Sequence, residues 1–375
     1  MKHVIEYMCN TSEARGTGVT LADRKSANSN HVHCQRPLRS LDKRQGLVET
    51  RADVGLMMIG YNLSAVLCRR NLAGRLRSAR NLHSSCRQCL RSNTLSAVPV
   101  KLAYASYESV NNHVQNAKEP IIIMHGLFGS KNNWNSLSKA IHQRTNRKVI
   151  TVDARNHGDS PHSSTMSYKD MAEDVIQLLT DLGFKKAILV GHSMGGSAMM
   201  MTALTFPDHV EKLAVVDMSP VRASPNLSQM VMVFKAMRSV MVDGSPTLSK
   251  ARKVVDHQLA KYIKSIALRQ FLTTNLVEAD SGRYKWRVNL SVLEQAFATQ
   301  IATFPNVGAR TYPGPTSFIG GADSDYIRVE DHGAIKKLFP SAEFRYISGA
   351  NHWVHADKPA EFVDLLTNFI NGSAY

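Results

Sequence analysis

The fifteen residues Ala187–Met201, AILVGHSMGGSAMMM, constrain the fold of this chain more than any other stretch. A short apolar run of strand type passes through Gly191-His192-Ser193-Met194-Gly195 into a run that reads as a helix. A turn this tight leaves no room for flanking side chains, so glycine stands on either side of the serine. The Ser193 hydroxyl is thereby lifted above a sheet edge at a helix N-terminus. There the backbone N–H of Met194 faces the place where an oxyanion would form, and the helix dipole favours negative charge. The competing reading is a glycine-rich turn whose serine only caps the helix. The strand–turn–helix setting, with small Gly196 and Ser197 following, favours a nucleophile.

The chain around this turn repeats a rhythm. From about Val98, VPVKLAYASYE alternates as a strand does, and EPIIIMHG, KVITVDAR, KKAILVG and EKLAVVDMS are short apolar runs of buried parallel-strand type. SYKDMAEDVIQLLTDLG between them has a serine cap, helical apolar spacing and a closing Gly183. The expected fold class is α/β, with a mainly parallel central sheet and helices on both faces. Ligands bind such sheets at the carboxyl ends of the strands. His125, Gly126, Asp153, Arg155, Ser193 and Asp217 all fall there.

A serine nucleophile needs a base, and in this architecture the base comes last in the chain, after the acid. EFRYISGA is the last strand candidate, and His352 follows it in NHWVHADKP, ahead of the helical PAEFVDLLTNFI. His355 is its neighbour and reads as support for the loop; His125, His157 and His192 read as structural or pocket-lining. Two positions suit the acid: Asp217 at the end of KLAVVD, and Asp323, with Asp325 beside it, after the next core strand. Either could orient the histidine and stabilise its charged form. The second oxyanion donor is expected from the loop after IIIMHG, as the backbone N–H of Leu127 with Phe128 as fallback. Phe128 and His192 are also candidates for contact with substrate.

HGLFGSKNNW, DARNHGDSPHS, GHSMGG, VVDMSPV and GANHWVHADKP, in this order, resemble the alpha/beta-hydrolase superfamily. The nearest resemblance is to the family of alpha/beta-hydrolase domain-containing protein 11 and its bacterial esterase relatives, over roughly residues 98–370. The resemblance implies an alpha/beta-hydrolase fold and serine esterase or lipase-type chemistry. It implies Asp217 as the acid, because the bacterial esterases carry theirs at the VVDMSP position. A further family proposal, an acid after WRVNL, cannot apply where this chain has Ser291. The family's animal members imply a mitochondrial setting and a link to 2-oxoacid dehydrogenase complexes; neither is visible in the residues.

Composition bounds the remainder. The chain has a net charge of +16, but residues 1–107 hold seventeen Lys or Arg against six Asp or Glu, which leaves +5 for residues 108–375. A nucleic-acid partner is therefore not expected. All five cysteines precede residue 100, so the catalytic domain rests on neither disulfides nor thiolate metal sites, and Cys86–Cys89 is an isolated CxxC. Residues 54–107 lack acid and are rich in Arg and Ser, as a mitochondrial transit peptide is. Its position near 57–97 suggests translation from Met57 or Met58. The expected organisation is a disordered basic segment over 1–97 and a hydrolase domain over 98–375. No apolar run is long enough for a membrane span.

Between about 219 and 312 the rhythm breaks into SQMVMVFKAMRSVMV, LSKARKVVDHQLAKYI and SIALRQFLTTNLVEA, which read as the helices of a cap inserted after the Asp217 strand. Met230, Met232, Phe234, Met237 and Met241 line an acyl pocket or form the cap's own core. The cap's lysines read as a solvated face rather than a lipid-docking patch. The function expected is hydrolysis of a small acyl ester or lipid through Ser193, His352 and an aspartate, with no cofactor and no metal. A thioesterase, a serine-dependent carbon–carbon hydrolase and a silent binding scaffold are the alternatives.

Overall fold

The computed structural model describes residues 32–35, 98–109, 118–223, 227–242, 244, 247–279 and 282–372. The transit-like stretch and the Cys86–Cys89 pair lie outside them. Eight strands form one sheet: β1 (Val32–Gln35), β2 (Tyr104–Tyr107), β3 (Ile121–Met124), β4 (Val149–Val152), β5 (Ala187–His192), β6 (Val210–Val216), β9 (Thr316–Gly321) and β10 (Ala342–Ile347). Their spatial order is β1-β2-β4-β3-β5-β6-β9-β10. From β4 to β10 the pairing is parallel, and β1 and β2 add an antiparallel edge. β1 comes from the segment expected to stay outside the fold. It takes up the hydrogen-bonding groups that β2 would otherwise leave open at the edge.

The strands are apolar throughout because both faces are covered. Ile122, Met124 and Leu189 face one core, which includes Met171 and Val175 of α2 (Tyr168–Asp181) and Ala198 and Met199 of α3 (Met194–Thr205). Ile121, Ile123, Ile188 and Val190 face the other, with Ile141 of α1 (Asn135–Thr145) and Phe362 and Leu366 of α10 (Pro359–Asn371). The period-2 alternation of a strand thus feeds two apolar layers at once. Ser167 caps α2 through Asp170 N–H at 3.1 Å, and Gly183 follows at φ 73°.

Between β6 and β9 lie α4 (Leu227–Arg238), α5 (Leu248–Leu259), α6 (Ile266–Thr273), the hairpin β7 (Leu276–Glu278) and β8 (Tyr284–Trp286), and α7 (Leu290–Ala296). The helix expected through SIALRQFLTTNLVEA stops at Thr273. Thr273, Thr274 and Asn275 are poor helix formers, and Leu276–Glu278 pair with β8 instead. The apolar side chains of α4 divide between two surroundings. Phe234 and Met237 are buried in the core and Met230 packs against it, while Met232 of the helix, and Met241 just beyond it, are exposed. These last two do not line an enclosed acyl pocket. No helix among the described residues is long and apolar enough to cross a membrane.

Candidate active site

The turn after β5 is built from backbone contacts that admit only glycine. A Cβ on Gly191 would stand 2.3 Å from the carbonyl oxygen of Gly195, and one on Gly195 would stand 2.4 Å from that of Met124. Ser193 between them is held at φ 53°, ψ −118°, a conformation that costs a non-glycine residue about 1–3 kcal/mol. Its N–H donates to the carbonyl of Val216 at 3.0 Å, which ties the turn to the end of β6. Met194 opens α3, so its N–H has no partner within the helix.

Three side chains meet at this turn. His352 Nε2 lies 3.0 Å from Ser193 Oγ, and His352 Nδ1 lies 2.7 Å from Asp217 Oδ2. The ionised carboxylate can only accept, so Nδ1 carries the proton and Nε2 is left to accept from the serine hydroxyl. Asp217 is fully buried at φ 49°. It also accepts from Gly321 N–H at 3.1 Å and from the Ser324 hydroxyl at 2.5 Å. Gly320 presents no side chain to this carboxylate: a Cβ there would lie 3.5 Å from Asp217 Oδ1. Asp323 is exposed and engages Ala350 through its backbone N–H, and Asp325 pairs with Arg328. Of the aspartates weighed, Asp217 is the one the structure brings to His352. Tyr326, absent from the expected set, stacks on the His352 ring at 3.8 Å between centroids.

His192 is buried behind His352 and reaches its backbone. Its Nε2–H donates to the carbonyl of His352 at 2.9 Å, which ties the end of β5 to the loop that carries His352. His355 stacks on Trp134 at 4.4 Å and packs edge-on against His192. Burial, with the neighbouring histidines, holds His192 well below the usual imidazole range and His355 at about 3. Both stay neutral, so no fixed positive charge stands behind His352.

The loop after β3 carries the two backbone N–H groups, of Leu127 and Phe128, expected as candidates for the second oxyanion donor. Phe128 sits at φ 63° with its N–H already given to His157 Nε2 at 3.1 Å and its carbonyl accepting from Asn275 Nδ2 at 2.7 Å. Its N–H is therefore spent, whereas among the described residues no acceptor lies against that of Leu127. The Phe128 ring is buried against Phe234 of the cap. His157 donates from Nδ1 to the carbonyl of Arg155 at 3.0 Å, and burial pushes it down to about 3. Asp153 and Arg155, which also stand at strand ends, are consumed by the scaffold. Lys131 Nζ holds Asp153 at 2.6 Å and Asp159 at 2.7 Å. Arg155 grips Asp174 through two bonds of 2.7 Å, both groups fully buried.

The cap touches this assembly at few points. Phe271 of α6 packs against Trp353, next to His352. The Asn289 side chain bonds Asn156 Oδ1 at 3.0 Å, and its backbone N–H bonds Asn156 O at 2.9 Å. Neither Asn275 nor Tyr326 has a motif that marks it in the sequence. The Gly320-Gly321 pair was the one signal pointing to a close approach beside the acid.

The sheet, the serine turn and its histidine define the class: residues 119–359 match the alpha/beta hydrolase fold family, and the chain belongs to it. Over 250 residues it is 49% identical to the sn-1-specific diacylglycerol lipase ABHD11 of Mus musculus, covering 67% of this chain and 80% of that protein. Over 257 residues it is 31% identical to the esterase YbfF of Escherichia coli, covering 68% and 95%. Among solved structures, a marine microorganism esterase superposes with a TM-score of 0.64 at 33% identity, covering 72% of this chain and 99% of that one. The chain is an ester-hydrolysing serine hydrolase.

Proposed function

We propose that the chain cleaves fatty acyl esters of glycerolipids, of the diacylglycerol kind for which its mouse relative is named, through an acyl-serine intermediate. The observation that carries the mechanism is the unbroken hydrogen-bonded line from Ser193 through His352 to Asp217. His352 Nε2 takes the hydroxyl proton as Ser193 Oγ attacks the ester carbonyl. The N–H groups of Met194 and Leu127 hold the oxyanion. Asp217 keeps the ring in its Nδ1–H form and stabilises the imidazolium. His352 then gives its proton to the departing alcohol, and the acyl group stays on Ser193. Water enters, loses a proton to His352 and attacks the acyl carbon, which releases the fatty acid and restores the serine.

The test is a fluorophosphonate probe together with acyl esters of graded chain length and diacylglycerol, on wild type beside Ser193→Ala. Labelling and turnover that vanish in the variant support the mechanism. A folded wild type that neither labels nor turns over removes it. We also propose a mitochondrial address, supported by the acid-free, Arg-rich composition of residues 54–107. N-terminal sequencing of the cellular protein decides it, and a mature chain that retains residues 1–56 overturns it.

A further inference from the structure

The positive charge of the hydrolase domain is concentrated in one place. Residues 248–273 hold six Lys or Arg against a single acid, Asp256, a net of +5; residues 108–375 together also amount to +5. The rest of the domain is balanced. Within this stretch Asp256 is already paired, at 2.9 Å, with Arg269. Lys250, Lys253, Lys261 and Lys264 are exposed, and among the described residues no carboxylate forms an ion pair with them.

The helix explains why these lysines act together. Lys250, Lys253, Val254, His257 and Lys261 recur at helical spacing along the exposed side of α5 and just beyond it, opposite buried Ala251, Val255 and Leu259. The chain continues through Tyr262 and Lys264 to Ile266, at the first residue of α6. Val254, Tyr262 and Ile266 are exposed by 42%, 41% and 59%. Aliphatic and aromatic groups thus stand among unpaired lysines, on a surface where solvated charge alone would be ordinary. The patch also leads to the site. α6 begins at exposed Ile266, lays Phe271 against Trp353 beside His352, and is followed directly by Asn275, which holds the Phe128 carbonyl.

We propose that this face, Lys250 to Ile266, docks the enzyme on an anionic lipid bilayer. The lysines meet the headgroups while Val254, Tyr262 and Ile266 enter the boundary layer beneath them. Lysine suits this, because its long stem lies along apolar surface and its ammonium remains at the interface. Docking there sets α6, whose Phe271 lies against Trp353 beside His352, on the phase in which a glycerolipid ester resides. The proposal therefore rests on the lipid-ester reading above, but binding can be measured without hydrolysis.

Full-length Ser193→Ala is mixed with vesicles of phosphatidylcholine, with and without about a third phosphatidylglycerol. Backbone amide exchange then reports where the chain makes contact, so a basic N-terminal segment that also binds does not obscure the answer. The expected result is slowed exchange over residues 248–268 with anionic vesicles only. In flotation, the same chain with Lys250→Gln, Lys253→Gln, Lys261→Gln and Lys264→Gln should lose binding by up to about 600-fold, since each lysine near such a surface contributes roughly fivefold. Unchanged exchange over 248–268 while the protein binds the vesicles overturns the proposal. So does slowing there by soluble polyglutamate and not by vesicles, which would assign the face to an acidic protein. A quadruple variant that keeps wild-type turnover of a soluble ester shows that the esterase reading stands whichever way docking falls.

Discussion

Two regions of this enzyme handle their backbones differently. Around the serine turn, Phe128, Asn156, Ser193 and Asp217 all stand at positive φ without being glycine. In the cap, from the start of α4 to β9, positive φ occurs among the described residues only at Gly244, Gly282 and Gly308. The strand ends hold strained residues, buried ion pairs and carbonyl-to-Cβ spaces that only glycine fits. The cap is made of amphipathic helices and one hairpin, joined to the sheet domain by side chains such as Asn275, Asn289 and Tyr168 and by the packing of Phe128 on Phe234. Strain is tolerated where the surrounding sheet fixes every alternative, and there it aims Ser193 and Asp217 at one histidine. Where the task is to cover and to select, ordinary helices suffice and their surface is free to carry charge.

The comparison predicts a descending series of effects. Ser193→Ala or His352→Ala should lower turnover of a soluble ester by about 10⁶, with each variant still folded. A loss below about 10³ would mean that the strand-end side chains are not the machinery. Asp217→Asn should cost about 10⁴, and Asp323→Asn less than twofold, since Asp323 is exposed and touches no triad member. Similar losses in both would break the assignment of one acid. Asn275→Ala tests the seam between the regions. It leaves the buried Phe128 carbonyl without its donor, which costs about 1–3 kcal/mol. It should lower kcat/KM by about tenfold through displacement of the Leu127 N–H; an unchanged kcat/KM would show that the cap does not hold that loop.

The smallest effect concerns acid. His157 and His355 are held at about 3, mainly by burial, whereas an unfolded histidine titrates near about 6.5. Between these values the unfolded chain binds protons that the native chain does not. Their neutral burial is therefore fully compatible with folding above pH about 6.5, and stability falls as pH drops from there toward 3. His157→Gln, whose amide can both accept from Phe128 N–H and donate to the Arg155 carbonyl, should flatten the fall of Tm between pH 7 and 4.5. An identical slope in the variant would remove His157 from the cause.

How much of this the sequence disclosed varies with how local the physics is. The turn at Ser193 is legible because its glycines answer contacts within five residues and with the adjoining strand. The parallel sheet is legible because strands buried on both faces must be apolar throughout. The choice between Asp217 and Asp323 is not: it depends on a donor pair, Gly321 N–H and the Ser324 hydroxyl, lying more than a hundred residues from Asp217. Tyr326 over His352 and Asn275 on the Phe128 carbonyl are likewise products of the crossover, with no spacing to announce them. The end of α6 at Thr273 was foreshadowed by the Thr-Thr-Asn that follows the apolar pattern. Apolar spacing alone carries the helix expectation past it.

The bond from His192 to the His352 carbonyl has a mechanical consequence. His192 is the last residue of β5 and the immediate neighbour of Ser193; the carbonyl belongs to His352. A fluctuation that lifts the loop after β10 must stretch this tether or draw the serine turn with it. Proton donor and acceptor then ride on one frame, and their 3.0 Å spacing is buffered against flexing of either strand alone.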